Sequence, residues 1–188
     1  MKHVILALAL GALAAACGDN NASKSGDSGV MREIERADEA AKQDHQQAQS
    51  ATQEFLRQAR AHPGAQALPS GLVIEFTHRG RNQALPHPGP ESVVTVHYEG
   101  KLANGQTFDS SLAHGGPAEF PLNQVVTGFS EAIQQMRPGD EVIAYMPPEL
   151  GYGPQGSPPI IPPDSALQFR IQLLAFQGAN GHLVRAPQ

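Results

Sequence analysis

Residues 93–111, Val-Val-Thr-Val-His-Tyr-Glu-Gly-Lys-Leu-Ala-Asn-Gly-Gln-Thr-Phe-Asp-Ser-Ser, decide the reading of this chain. Val94, Val96 and Tyr98 alternate with Thr95, His97 and Glu99, the period of a strand with one buried face. Asn104-Gly105 supplies the residues a tight type I′ turn wants, which predicts a hairpin between 101–103 and 106–108 that delivers Asp109. Working outward, Leu72, Ile74 and Phe76 alternate with Val73, Glu75 and Thr77 as an earlier strand, and 79–90 is a Pro- and Gly-bearing connection. Val125, Val126, Phe129, Ile133 and Met136 recur at helical spacing, so 124–136 is expected as a short helix, stopped by Arg137-Pro138-Gly139-Asp140. Residues 141–146 and 167–176 are the remaining strands. A mostly antiparallel sheet with one helix on its face follows, in the α+β class.

The first third of the chain differs in composition. Lys2, an apolar run over 4–15 and small residues before Cys17 read as an export signal over 1–16. Leu13-Ala14-Ala15-Ala16-Cys17, with the chain's one cysteine, resembles a bacterial lipobox, so Cys17 is a candidate lipidation site and the start of a mature lipoprotein. The lipobox Leu stands one place early here, and Ala14 and Ala16 also suit an ordinary signal peptidase, which leaves a soluble exported protein as the alternative. Residues 17–29 are polar and Gly-, Ser- and Asn-rich, a flexible tether. A helical segment is expected over 30–67, its helix running to about Ala61 before His62-Pro63-Gly64. Val30, Ile34, Ala37, Ala41, Ala48, Phe55 and Ala59 form its thin apolar stripe. That stripe reads either as a homodimer seam or as a solvated helix that docks only Phe55 and Leu56 on the next domain. The β-rich domain is expected over 68–178, followed by a C-terminal tail over 179–188.

A net charge of -5 with no block of Lys and Arg excludes the footprint of a nucleic-acid binder. The histidines stand singly and no cysteine pair supports them, so no metal is implied. Ser110-Ser111 beside Asp109 lacks the Gly-x-Ser-x-Gly elbow of a nucleophile, and the serines read as turn caps.

Val96-His97-Tyr98-Glu99-Gly100, Phe108-Asp109-Ser110-Ser111, Phe120-Pro121-Leu122, Met146-Pro147-Pro148, Gly151-Tyr152-Gly153, Ile160-Ile161-Pro162-Pro163 and Ser165-Ala166-Leu167-Gln168-Phe169 recur in an order and spacing that resemble the FK506-binding-protein (FKBP) family of peptidyl-prolyl cis/trans isomerases. Phe55-Leu56 and Leu68-Pro69-Ser70-Gly71-Leu72 resemble the macrophage-infectivity-potentiator branch, whose helical N-terminal regions make dimers. The resemblance implies a half-wrapped antiparallel sheet around a short helix, with a substrate proline between them and no cofactor. It implies a pocket walled by Tyr98, Phe108, Asp109, Phe120, Val125, Val126, Tyr152, Ile161 and Phe169, with Phe129 as floor where the family commonly has Trp. Ala118 stands where the family has a second Phe, and many members carry an aromatic or His near Ser157. These departures bear on macrolide ligands more than on isomerase activity.

Asp109, Tyr152, Tyr98 and Phe169 are the candidate catalytic residues. For Asp109 two roles are open: acting on the rotating carbonyl, or holding loop N–H groups or Tyr98 in place. The implied enzyme would turn X-Pro segments of unfolded or loop regions in exported proteins and assist their folding on the periplasmic side of a bacterial membrane, the outer membrane being favoured. A non-catalytic peptide-binding or chaperone module of the same fold is the alternative.

Overall fold

The computed structural model describes residues 27–187. The stretch read as an export signal, Cys17 and most of the stretch read as a tether lie outside the described residues. Helix α1 runs Asp27–Ala61, and the strands are β1 Gln66–Ala67, β2 Val73–His78, β3 Val93–Leu102, β4 Thr107–Ser110, β5 Ala118–Pro121, β6 Glu141–Met146, β7 Leu167–Gln177 and β8 Leu183–Arg185, with helix α2, Thr127–Gln134, between β5 and β6. The chain divides into two compact units, one ending at Ala41 and one beginning at Lys42. In the first, Val30, Met31 and Ile34 of α1 are exposed. Among the described residues no helix is long and apolar enough to cross a membrane.

In the second unit every strand pairing is antiparallel, in the order β1-β2-β6-β7-β3-β4, with β5 also on β3 and β8 on β7. The two longest strands meet at the centre, Tyr98 opposite Ile171 and Gly100 opposite Phe169. Alternation then sends Val94, Val96, Tyr98, Gly100 and Leu102 to the face that meets α2, together with Leu167, Phe169, Ile171 and Leu173. Helix α2 answers with Gly128, Phe129, Ala132 and Ile133, all buried. Gly128 keeps that approach close. A Cβ would stand 3.0 Å from Met146 Sδ and 3.1 Å from Leu150 Cβ, so a side chain there would push these neighbours aside.

A second, smaller core joins the last turns of α1 to the sheet. Leu56 and Ala59 pack on Val73, Tyr145 and Ala166, and Phe55 meets the Tyr145 ring edge-on at 5.7 Å. Docking through Phe55 and Leu56 is therefore observed, and Ala59 joins them.

Three expectations need correction. The hairpin turn is not type I′: Gly105 has φ +85° but Asn104 is not left-handed, and Leu102 N donates to Gln106 O while Gly105 N donates to Leu102 O. This is a type I turn closed by a left-handed glycine, with Asn104 Oδ1 accepting from Gln106 N at 2.9 Å. That local side-chain bond lets Asn104 stay out of the left-handed region. The short helix begins at Thr127 rather than 124, because Val125 and Val126 are extended (ψ 166° and 145°). Residues 183–185, read as part of a tail, add a strand to β7.

Asp140, fully buried beyond the end of α2, closes the far side of the sheet. Its carboxylate accepts from Gly80 N (2.7 Å), Arg137 N (2.9 Å) and Gln83 Nε2 (3.1 Å), and Arg79 lies 3.7 Å away. Asp140→Ala strands two backbone N–H groups, so a loss of about 3 kcal/mol is expected. A lower urea midpoint with an unchanged slope is the check; a midpoint within error of the parent would contradict this assignment.

Candidate functional site

Two features of β3 and β4 build the site. In the β3–β4 ladder Gly100 faces Asp109 and Lys101 faces Thr107, leaving Phe108 as the extra residue of a bulge. The bulge turns the Phe108 ring over Gly100, where a Cβ would sit 2.6 Å from Phe108 Cζ and 2.8 Å from Phe169 Cε1. Gly100 thereby lets Phe108 and Phe169 meet edge to face, centroids 5.5 Å apart. The contacts continue through Phe129 to Phe169 at 5.3 Å, Phe129 to Phe120 at 6.1 Å, Tyr98 to Phe129 at 6.0 Å and Tyr98 to Phe120 at 5.7 Å. All of these pairs are T-shaped, the arrangement ring quadrupoles favour. Phe129 and Phe169 are buried at the base, and Tyr98, Phe108 and Phe120 are half-buried above them.

Of the other residues read from the sequence, Val125, Val126 and Ile161 fall on the same core and Tyr152 stands outside it. Val125 and Val126 pack against it from the entry to α2, and Ile161 is buried in it. Tyr152, 40% exposed, stands on the segment between β6 and β7, and its hydroxyl has no hydrogen-bond partner among the described residues. Burial, then the Asp109 charge, push the Tyr152 phenol up, so it stays a donor at neutral pH. The Val126 N–H likewise donates to no group among the described residues, while Val126 O takes the N–H groups of Phe129 and Ser130.

Asp109 is held at both oxygens. The Tyr98 hydroxyl donates to Oδ2 at 2.8 Å, and His114 Nε2 lies 2.8 Å from Oδ1. Partial burial pulls the Asp109 carboxyl upward, but the Tyr98 and His114 bonds outweigh it and hold the group below its ordinary range. The Tyr98 phenol moves up in turn, chiefly through burial and then through Asp109.

Sequence reasoning passed over three contributors. Gly100 carried a signal, since a glycine inside a strand pattern marks a bulge or a close approach. Ser111 is fully buried and its Oγ accepts from Tyr98 N at 3.2 Å, whereas only Ser110 caps the turn, accepting from Ala113 N. His114 gave no signal; a single 3₁₀ turn, ended by Gly115 at φ +92°, brings it back to Asp109.

A half-wrapped antiparallel sheet closed on a short helix, with an aromatic cup between them, defines a fold of the FKBP type. The family profile of the FKBP-type peptidyl-prolyl cis-trans isomerases matches residues 86–174. The chain is 42% identical over 123 residues to the peptidyl-prolyl cis-trans isomerase Mip of Coxiella burnetii, covering 65% of this chain and 52% of that one. It is 39% identical over 146 residues to the FKBP-type 22 kDa peptidyl-prolyl cis-trans isomerase of Escherichia coli, covering 77% and 69%. The crystal structure of FkpA from Escherichia coli superposes with a TM-score of 0.68 at 27% identity, over 88% of this chain and 75% of that one. The chain belongs to the FKBP-type peptidyl-prolyl cis-trans isomerase family. It spans about half the length of several curated relatives that it matches.

Two outcomes test the geometry. Gly100→Ala should displace both rings and cost about 1–3 kcal/mol, with loss of ring-current-shifted aromatic signals in the NMR spectrum; an unchanged aromatic spectrum would count against the close approach. The depressed Asp109 carboxyl contributes stability above the ordinary carboxylate range, lost as pH falls through its lowered value. The melting-temperature gap between the parent chain and Asp109→Asn should therefore be widest near neutrality and shrink towards pH 3. A gap that grows on acidification would reverse the sign.

Proposed function

We propose that this chain catalyses cis/trans rotation of X-Pro peptide bonds by enclosing the proline ring in the aromatic cup. The observation that carries the reading is the continuous set of edge-to-face rings, with Phe129 and Phe169 buried at the base and polar groups only at the rim.

Amide resonance sets a rotational barrier of roughly 18–20 kcal/mol, and unaided X-Pro exchange takes tens of seconds. No bond is made or broken. The planar amide is the more charge-separated state and water favours it, so moving the prolyl bond into an apolar cup favours the twisted state. An acceleration of about 10⁴ corresponds to about 5–6 kcal/mol, within the reach of desolvation and one or two hydrogen bonds that strengthen in the transition state. Tyr98, Phe108 and Phe120 would grip the ring, Phe129 and Phe169 close the base, and Val125 and Ile161 complete the walls. The free Val126 N–H and Tyr152 hydroxyl are suited to peptide carbonyls. The two bonds on Asp109 favour its role in holding Tyr98 and the following turn, with its negative field acting on the carbonyl from the rim. No cofactor enters this scheme.

The substrates would be X-Pro segments of unfolded or loop regions in exported proteins, a reading supported by the leader-like start and the tether composition. Cys17 would carry a lipid and hold the chain on the periplasmic side of a membrane, with the outer membrane favoured. The exposed Val30, Met31 and Ile34 support a homodimer seam along the first turns of α1.

The first test is isomerisation of a set of X-Pro tetrapeptides by the chain from Gly18 onward. Phe169→Leu should lower kcat/KM at least about tenfold in a folded protein, and Asp109→Asn should lower it less if that carboxylate acts by positioning. No rate above background from a folded chain would make the peptide-binding module the better reading. Fatty-acid labelling lost in Cys17→Ser would establish the anchor, and label kept in that variant would dismiss it.

A further inference from the structure

The segment between β6 and β7 supplies Tyr152 and Ile161 to the cup, yet it is almost wholly exposed over 152–163 apart from Gly153, Gly156 and Ile161. Its own bonds are local turns: Gly156 N donates to Gly153 O at 3.3 Å and Ile160 N to Ser157 O at 3.2 Å. Ser157 and Ile161 bridge near the tip, Ser165 Oγ donates to Pro162 O at 2.8 Å, and Asp164 N donates to Gly153 O at 3.2 Å, tying the two ends together beside Tyr152. Asp164 has φ 54°, a left-handed position uncommon for a residue with a side chain. Such a position persists where its surroundings hold it.

Helix α1 provides that hold. The Thr52 hydroxyl donates to Asp164 O at 2.9 Å and accepts from Ala166 N at 3.2 Å, so one Oγ1 satisfies two backbone groups of the returning segment. Two turns earlier on the same helix face, His45 Nδ1 lies 3.0 Å from Asp164 Oδ2. A hydroxyl inside a helix ordinarily bonds back to the carbonyl four residues before it, as Ser50 does to Gln46 O at 2.9 Å. Thr52 spends its hydroxyl on the segment instead.

We infer that Thr52 is a positioning residue for the isomerase site: through Asp164 and Gly153 it fixes Tyr152 and Ile161, so that α1 splints the wall of the cup. The inference rests on the isomerase reading for its kinetic consequence, but its structural part stands apart from it. The measurement uses the full chain in mild detergent, with Thr52→Val, Thr52→Ser and Leu56→Ala. Leu56 is buried on the same helix in the second core, where its one neighbour from the returning segment is Ala166, and no hydrogen bond links it to 152–164. Thr52→Val should lower kcat/KM for an X-Pro tetrapeptide about tenfold, mainly through KM, and speed amide exchange over 153–166. Thr52→Ser should restore both. Leu56→Ala should lower the urea midpoint and leave kcat/KM of the folded protein within about twofold.

Unchanged kcat/KM and exchange in Thr52→Val would overturn the inference. So would an equal loss of activity in Leu56→Ala at the same folded fraction, since the helix would then act through general stability. If the parent chain showed no turnover, the isomerase reading would fail, and faster exchange over 153–166 in Thr52→Val alone would still support the splint.

Discussion

The pairing of β3 with β7 is the constraint on which the rest depends. Its register runs the length of both strands and places Gly100 opposite Phe169 and Tyr98 opposite Ile171. A slip of one residue would send Tyr98 and Phe169 to the solvent face and dissolve the cup, because side-chain direction in a strand has a period of two. The register is fixed by burial. Val94, Val96, Ile171 and Leu173 are fully buried on the shared face, each contributing about 1.5–3 kcal/mol relative to exposure, while Arg170, between two buried neighbours, finds Glu141 on the opposite face at 2.7 Å. The one break, where Leu174 is extra between Thr95 and Val96, lies away from the cup and returns Phe176 to the core side.

Given that register, the site needs only small local departures from a regular sheet. The Phe108 bulge and the bare Cα of Gly100 are complementary: the first brings a ring inward and the second makes room for it. Asp109 follows the bulge and is held by Tyr98 from β3 and by His114 from the next turn. An exposed ion pair would add little to stability. Here the carboxylate also accepts from the Tyr98 hydroxyl, a bond that aligns the phenol of a ring in the aromatic set.

The alternating strands were legible because a buried face imposes a period of two, and Leu72 to Thr77 and Val94 to Glu99 obey it closely. The aromatic set was legible only as an ordered group of motifs, since no single Phe distinguishes a pocket wall from a core. What escaped were features set by tertiary contact. Asn104-Gly105 suits several hairpin turns, and the choice was made by the Gln106 bond to Asn104 and the pairing of Leu102 with Gln106. Val125 and Val126 carry helical spacing, but the chain stays extended there as it leaves the 3₁₀ turn Leu122–Gln124, so the periodic pattern overran the helix. β5 has four residues and an exposed edge position at Glu119, too short for any period to show. Thr52 and Asp164 lie 112 residues apart, and nothing local marks either as a partner.

The cup divides polarity by depth, and that division bears on what it selects. Phe129 at the floor has no donor, so nothing at the bottom can hydrogen-bond a ligand, and recognition there is by shape and apolar area alone. The donors without a partner among the described residues, the Tyr152 hydroxyl and the Val126 N–H, stand outside the set of rings, and the Asp109 charge reaches Tyr152. A proline ring has no polar atom beyond the amide that joins it to the chain, so it satisfies the floor while its flanking carbonyls remain at the level of the donors. Any other side chain of similar size would leave a backbone N–H to be buried or bent away, at the cost of an unmade hydrogen bond. On the isomerase reading, selectivity for proline would follow from an apolar floor below and polar groups above.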